Sequence, residues 1–71
     1  MRSIEDTKRI KETYLPGMRI RLIEMDDVQA PPVGTMGTII GIDSIGTVLV
    51  VWDTGSRLNI VLEKDKIEII E

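Results

Sequence analysis

Residues 31–53 read PPVGTMGTIIGIDSIGTVLVVWD, two apolar runs separated by a Ser-Ile-Gly turn and entered through a Pro-Gly loop. Isoleucine and valine dominate both runs, and β-branched side chains favour extended backbone. The second run alternates, with one face formed by Val48, Val50 and Trp52 and the other by Leu49 and Val51. Apolar alternation bounded by turn residues is typical of paired strands. The stretch therefore predicts a β-hairpin at the centre of the fold.

The composition limits what this chain can do chemically. It has 71 residues, which is room for one domain with a modest core. It contains no cysteine and no histidine, so thiol chemistry and the usual general base near neutral pH are absent. We therefore expect a protein that is not an enzyme and that holds no metal or other cofactor. Nine basic residues against twelve acidic ones give a net charge of −3, which argues against tight sequence-independent nucleic-acid binding.

The segments on either side of the central stretch complete the expected fold. Residues 1–14 predict a short N-terminal helix, with Ser3 as its cap and a stop at Pro16. Alternation from Met18 to Ile23 predicts a first strand, and residues 57–61 and 67–70 predict two more after the central pair. A single helical turn at residues 62–65 separates these last two. The pattern is typical of a small five-stranded SH3-like β-barrel over residues 15–71.

A long loop of residues 24–34, EMDDVQAPPVG, follows the first strand and is a candidate binding surface. Its candidate residues are Asp26, Asp27, Gln29, Pro31 and Pro32. The carboxylates could bind a cation, but no calcium-loop spacing is present, and a turn stabilised by a carboxylate is the simpler interpretation. The two prolines could form a polyproline ligand, although a stiff entry into the next strand explains them more simply.

Trp52, Asp53 and Asn59 are further binding candidates around a predicted turn at Asp53-Thr54-Gly55, in which glycine supplies the left-handed conformation. An exposed tryptophan could line a peptide groove, since a large flat ring gives contact area at low entropic cost. Trp52 shares its face with Val48 and Val50, however, so a place in the core is the competing interpretation, and the pattern favours it.

The opposite face of the third strand predicts an exposed apolar patch formed by Ile39, Leu49 and Val51. Three covers are possible: the N-terminal helix, through Ile10 and Tyr14, which is the simplest; a second copy of the chain in a homodimer, which comes next; or a different partner.

Arginines at outward strand positions raise an alternative function. Arg19, Arg21 and Arg57 could form a basic surface for nucleic acid. Stacking aromatics are nearly absent, however, and Glu68 is expected on the strand beside the first one. Cross-strand ion pairing is therefore the simpler role for these side chains.

The chain from Leu15 onward resembles a bacterial family of domains of unknown function found in Firmicutes, their phages and their conjugative elements. The resemblance rests on these positions: Asp26-Asp27, Pro31-Pro32, Gly34-Thr35, Gly37-Thr38, Gly46, Trp52-Asp53, Gly55 and Leu58-Asn59. It implies an SH3-like barrel and a mobile-element context, with no assigned activity. Val51 departs from the pattern, because a polar residue is expected there.

Taken together, the sequence predicts a cytoplasmic, non-catalytic module that binds an unknown protein or peptide through the 24–34 loop and the turn after Trp52. No stretch approaches the length of a transmembrane helix or has the apolar run of a signal peptide. A nucleic-acid accessory role through the three arginines is the alternative.

Overall fold

The domain is small and mainly β, with one helix and a four-stranded antiparallel sheet in a computed structural model that describes residues 4–70. Helix α1 spans Ile4–Thr13, and strands β1 to β4 span Arg19–Glu24, Met36–Ile42, Val48–Trp52 and Lys66–Ile70. The predicted cap Ser3 lies outside the described residues. Acidic residues occupy the first turn of α1 and Lys11 the last, which suits the helix dipole. Within the described residues no helix is long and apolar enough to span a bilayer.

The sheet has the order β3-β2-β1-β4 and is open, with β3 and β4 as its edges. Four of the predicted strands are confirmed, whereas the one predicted at residues 57–61 is wrong. Only Ile60 of that segment pairs with β3, through a single bridge to Val48. Because the sheet does not close, the five-stranded SH3-like barrel is not confirmed.

Side chains explain why residues 57–61 form no regular strand. The Val50 N–H, on the outer edge of β3, donates to the side-chain Oδ1 of Asn59 at 3.3 Å rather than to a strand carbonyl. The Leu58 carbonyl, which a regular ladder would use, accepts the indole N–H of Trp52 at 2.8 Å. The Trp52 backbone N–H donates to Ser56 O at 3.0 Å. The outer edge of β3 is therefore satisfied by an irregular segment.

The core lies on one face of the sheet. Seven side chains are almost completely inaccessible to solvent: Ile20, Leu22, Ile39, Val48, Val50, Trp52 and Ile60. Ile10 of α1 and Tyr14, which directly follows the helix, pack against this cluster, so the N-terminal segment covers the core. Trp52 lies over Gly37, where an added Cβ would be only 2.7 Å from the indole Cε3. Glycine at this position thus allows the largest core side chain to lie against β2.

The predicted apolar patch is wrong at Ile39, which is fully buried. Ile39 lies directly opposite Val50, and residues opposite each other in an antiparallel pair share a face. A register shift follows at once, since Gly41 is the next residue paired, with Leu49. Ile40 is the extra residue of this bulge and is 52% exposed. Ile39 therefore offers no surface to a second copy, while Leu49 and Val51 are half-buried.

Candidate functional site

The loop of residues 25–35, which connects β1 to β2, is held firmly at its base. Leu22 exchanges two backbone hydrogen bonds with the chain that enters β2: its N–H donates to Thr35 O at 2.9 Å, and its carbonyl accepts from Gly34 N–H at 2.8 Å. The Thr35 hydroxyl donates to Pro32 O at 2.6 Å. Met25 packs against the core. The loop therefore has a defined shape rather than hanging from the sheet.

A turn at Asp27 fixes the middle of the 25–35 loop. Its Oδ1 accepts the Gln29 N–H at 2.8 Å, and its carbonyl accepts the Ala30 N–H at 3.0 Å. This is the turn role expected for a loop carboxylate. Pro31 is buried, whereas Pro32 is exposed. The two prolines therefore differ in role: Pro31 helps to hold the loop in place, whereas Pro32 faces solvent.

Two valines of the 25–35 loop project into solvent. Val28 is 103% exposed relative to an extended reference, and Val33 is 72% exposed. Their neighbours Asp26 and Gln29 are exposed as well. Sequence reasoning singled out the polar residues and prolines of this loop and missed the valines. The available signal was two apolar β-branched residues within a segment of acidic and turn-forming residues.

Trp52 and Asn59, two of the predicted binding residues, have structural roles. Trp52 is 1% exposed and its only ring N–H is bonded within the domain, so it offers no surface to a groove. Asn59 is exposed, but its side-chain oxygen accepts the Val50 N–H. The groove interpretation of Trp52 is therefore wrong, and the core interpretation is confirmed.

Arg19 and Asp53, predicted for two different functions, bind each other across the sheet. The guanidinium donates from Nη1 to Oδ1 at 2.9 Å and from Nη2 to Oδ2 at 2.6 Å, and Nη1 also donates to the Thr38 hydroxyl at 2.9 Å. Two parallel bonds of this kind are the strong geometry for an arginine and a carboxylate. These hydrogen bonds, and to a smaller degree the charge of Arg19, hold the pKa of the Asp53 carboxyl below its ordinary value of 3.8.

The other two arginines are also placed by the structure. Arg21 lies opposite Glu68 and forms an ion pair with it at 3.4 Å, which confirms the expected cross-strand pairing. Arg57 is exposed, and no ion pair is found for it among residues 4–70. Two of the three arginines are thus partly neutralised, which weakens the case for a continuous basic surface.

Residues 4–70 contain no group of three or more carboxylates that could together hold a metal ion. The predicted candidates divide into three sets. Asp26, Asp27, Gln29, Pro31 and Pro32 lie together on the 25–35 loop; Trp52, Asp53 and Asn59 stabilise the sheet; and the arginines lie on β1 and after the turn. Of these three sets, the loop is the one in which several side chains are exposed to solvent and not all of them have a structural role.

Comparison with known proteins yields one family. A sequence model described as "Domain of unknown function (DUF4314)" matches residues 3–70. No curated protein and no solved structure matches the chain.

Proposed function

The chain belongs to the DUF4314 family of unknown function, and from that premise we propose that it is a non-catalytic module that binds another protein through the 25–35 loop. The observation that carries the proposal is the exposure of Val28 and Val33 on a loop whose base and centre are fixed by hydrogen bonds. Exposed apolar side chains are common singly, but two on one ordered loop favour a contact surface.

The fixed shape of the loop lowers the cost of binding. Ordering a flexible segment on association costs free energy that a loop already tied in place does not lose. The Asp27 turn and the bonds between Leu22 and residues 34–35 provide this order in the free domain. The loop therefore suits a contact in which the two valines enter a preformed apolar depression of the partner.

The charged residues beside Val28 indicate what kind of surface the partner would have. Asp26 and Asp27 are both exposed close to Val28, and the chain as a whole carries a net charge of −3. An apolar depression bordered by lysine or arginine would complement this arrangement. Pro32 and Gln29 add exposed contact area beside the valines. The partner class is thus a protein with a basic rim around an apolar site.

The proposal includes an SH3-like arrangement and a role in a bacterial mobile element, with a cytoplasmic location. The segment that lies along β3 and pairs at Ile60 supports the fold, because it occupies the place of a fifth strand. The resemblance at Pro31-Pro32, Gly34-Thr35 and Trp52-Asp53 supports the context.

The test is a pull-down from bacterial lysate with tagged protein, with and without nuclease, comparing the wild type with Val28→Ser/Val33→Ser. Ile45→Ser is the matched control, because Ile45 is 69% exposed but lies in the hairpin between β2 and β3. We expect a protein band that survives nuclease, is lost with the loop variant and is kept with the control. A band that both variants retain would contradict the proposal.

The same experiment tests the alternative. Binding through Arg19, Arg21 and Arg57 would give bound nucleic acid that nuclease removes and moderate salt releases, since phosphate contacts weaken steeply with salt. Binding through the valines would weaken much less with salt, because only the charge contacts of Asp26 and Asp27 at the rim are screened. If nucleic acid is recovered, and in the same amount with Val28→Ser/Val33→Ser as with the wild type, binding through the arginines is favoured.

A further inference from the structure

We propose that the open edge of β4 pairs with the same edge of a second copy, so that two domains form one continuous antiparallel sheet about a two-fold axis. β4 ends the strand order β3-β2-β1-β4, and among residues 4–70 β1 is the only strand that pairs with it. The opposite edge, β3, is covered by residues 56–60. This surface is distinct from the 25–35 loop, so it can be tested separately from the proposed function.

The hydrogen bonds of β1 fix which groups of β4 face outward. Leu22 directs its N–H and carbonyl to the β2 side of β1, at 2.9 and 2.8 Å. Backbone direction alternates along a strand, so Arg21 directs its groups to β4, where Glu68 lies opposite. The backbone N–H and C=O groups of Glu68 therefore point toward β1, and those of Ile67 and Ile69 point away from the sheet. Unpaired N–H and C=O groups in this arrangement are a template for another strand.

The charged residues of β4 favour a second copy of the chain as the strand that pairs with this edge, and they favour one register of pairing. With Ile67 opposite Ile67 of the second copy, each Lys66 lies opposite a Glu68, which gives two cross-strand pairs of opposite charge. Moving one strand until Glu68 lies opposite its own copy brings two carboxylates together, which is destabilising. The side chains of Lys66 and Glu68 are 70% and 52% exposed, and they already contact Glu24 at 4.0 Å and Arg21 at 3.4 Å, so charge pairs between the two copies would extend these ion pairs. The sequence Lys66-Ile67-Glu68 is thus complementary to itself in antiparallel orientation.

Apolar surface beside the edge adds to the attraction. Ile69 is 38% exposed, and a shallow groove of about 590 Å³ beside β4 is lined in part by Tyr14, Ile23, Leu62 and Ile67. Pairing would shield part of this lining from water. The paired segments are short, so the buried area falls below that of standard stable interfaces, and we expect a dissociation constant on the order of 0.1 mM.

The first experiment is sedimentation equilibrium from about 0.02 to about 2 mM, joined to amide exchange over the same range. We expect the average mass to rise from 8.0 kDa toward twice that value. The Ile67 amide should become protected as the mass rises, whereas the Glu68 amide, already bonded to β1, should be protected throughout. A mass of 8.0 kDa at all concentrations would overturn the proposal, and so would a dimer in which the Ile67 amide stays unprotected.

Charge variants test the register. Lys66→Glu and Glu68→Lys each place like charges opposite each other, so each should weaken dimerisation at least about tenfold. An equimolar mixture of the two restores opposite charges and should dimerise within about threefold of the wild type. Lys64→Glu, which makes the same charge change outside β4, is the control and should leave dimerisation unchanged. Circular dichroism checks that every variant is folded. If the mixture dimerises no better than either variant alone, the proposed register is refuted.

Discussion

Replacing Gly37 by alanine should destabilise the domain, because the new methyl group would lie too close to Trp52 and Val50. The added Cβ would lie 2.7 Å from Trp52 Cε3, 2.9 Å from Val50 Cγ1 and 3.1 Å from Trp52 Cδ2. All three distances are shorter than ordinary carbon contacts, and the first two are so short that the indole, the Val50 side chain or the strand must move. Trp52 cannot move freely, because it is 1% exposed and its N–H is bonded to Leu58 O at 2.8 Å.

The expected cost follows from two opposing terms. Overpacking a core by one methyl group costs about 1–3 kcal/mol. Replacing glycine reduces the entropy of the unfolded chain and returns about 0.4–1 kcal/mol. The net loss in the free energy of unfolding for Gly37→Ala is therefore about 1–2 kcal/mol, which corresponds to a fall in Tm of about 5–15 °C for a domain of this size. Since a single small core supplies only about 3–5 kcal/mol, this is a large fraction of the total.

The assay is urea and thermal unfolding followed by circular dichroism and by the fluorescence of Trp52, the only tryptophan. Gly41→Ala is the control on the same strand, because its Cβ would meet nothing closer than Leu49 Cδ1 at 4.0 Å. This variant has no overpacking cost, so it should be as stable as the wild type or more stable by up to about 1 kcal/mol. Equal stabilities for Gly37→Ala and Gly41→Ala would refute the packing of Trp52 on Gly37.

Three further predictions concern polar contacts and backbone conformation. Because Arg19 lowers the pKa of Asp53, the ion pair stabilises the fold at pH values above the ordinary pKa of 3.8. This contribution is lost as the pH falls through the lowered pKa. In acid titrations, the difference in stability between the wild type and Asp53→Asn should therefore shrink below pH 3.8. Asn59→Ala should cost about 1 kcal/mol in urea unfolding and speed exchange of the Val50 amide, whereas Asn59→Asp, which keeps an acceptor, should cost less; equal losses would contradict the hydrogen bond. Gly55→Ala should lower stability by about 1 kcal/mol because φ is +93° with open space around it, and an unchanged Tm would contradict that conformation.

Sequence reasoning predicted those parts of the fold that depend on local pattern. Alternation in residues 18–23 and 47–52 marked β1 and β3, and positive φ at Gly46 and Gly55 agrees with the predicted turns. The ion pair of Arg21 with Glu68 was also predictable, because neighbouring strands were expected there.

The predictions that were wrong concern features that depend on tertiary contacts rather than on the local sequence pattern. Leu58 and Ile60 alternate as strand residues do, but alternation cannot show that Asn59 and the Trp52 indole would take the hydrogen bonds of a ladder. Ile39 and Ile40 are identical neighbours, and only the pairing register decides which one is buried. The candidate site shows the same limit. The sequence predicted a loop at residues 24–34, close to the observed 25–35 loop, but the exposure of its valines depends on how the loop lies on the sheet.

The central position of β1 also bears on the order of folding. β2 and β3 are joined by a short turn in which the Asp43 carboxylate accepts two backbone N–H groups, at 3.1 and 2.8 Å. β1 meets β4 across a separation of 47 residues at Arg21 and Glu68. Closing the longer loop costs more chain entropy, so we expect the hairpin to form early and β4 to dock last.

Stopped-flow kinetics can test this order. Asp43→Ala should mainly slow folding, and Glu68→Ala should mainly speed unfolding; the reverse pattern would contradict the order. Until β4 docks, the backbone groups of Arg19 and Arg21 form an exposed strand edge. A chain in which β4 has not yet docked would therefore carry a second unpaired edge on β1, and faster docking of β4 would shorten the time in which newly made chains can pair wrongly with one another.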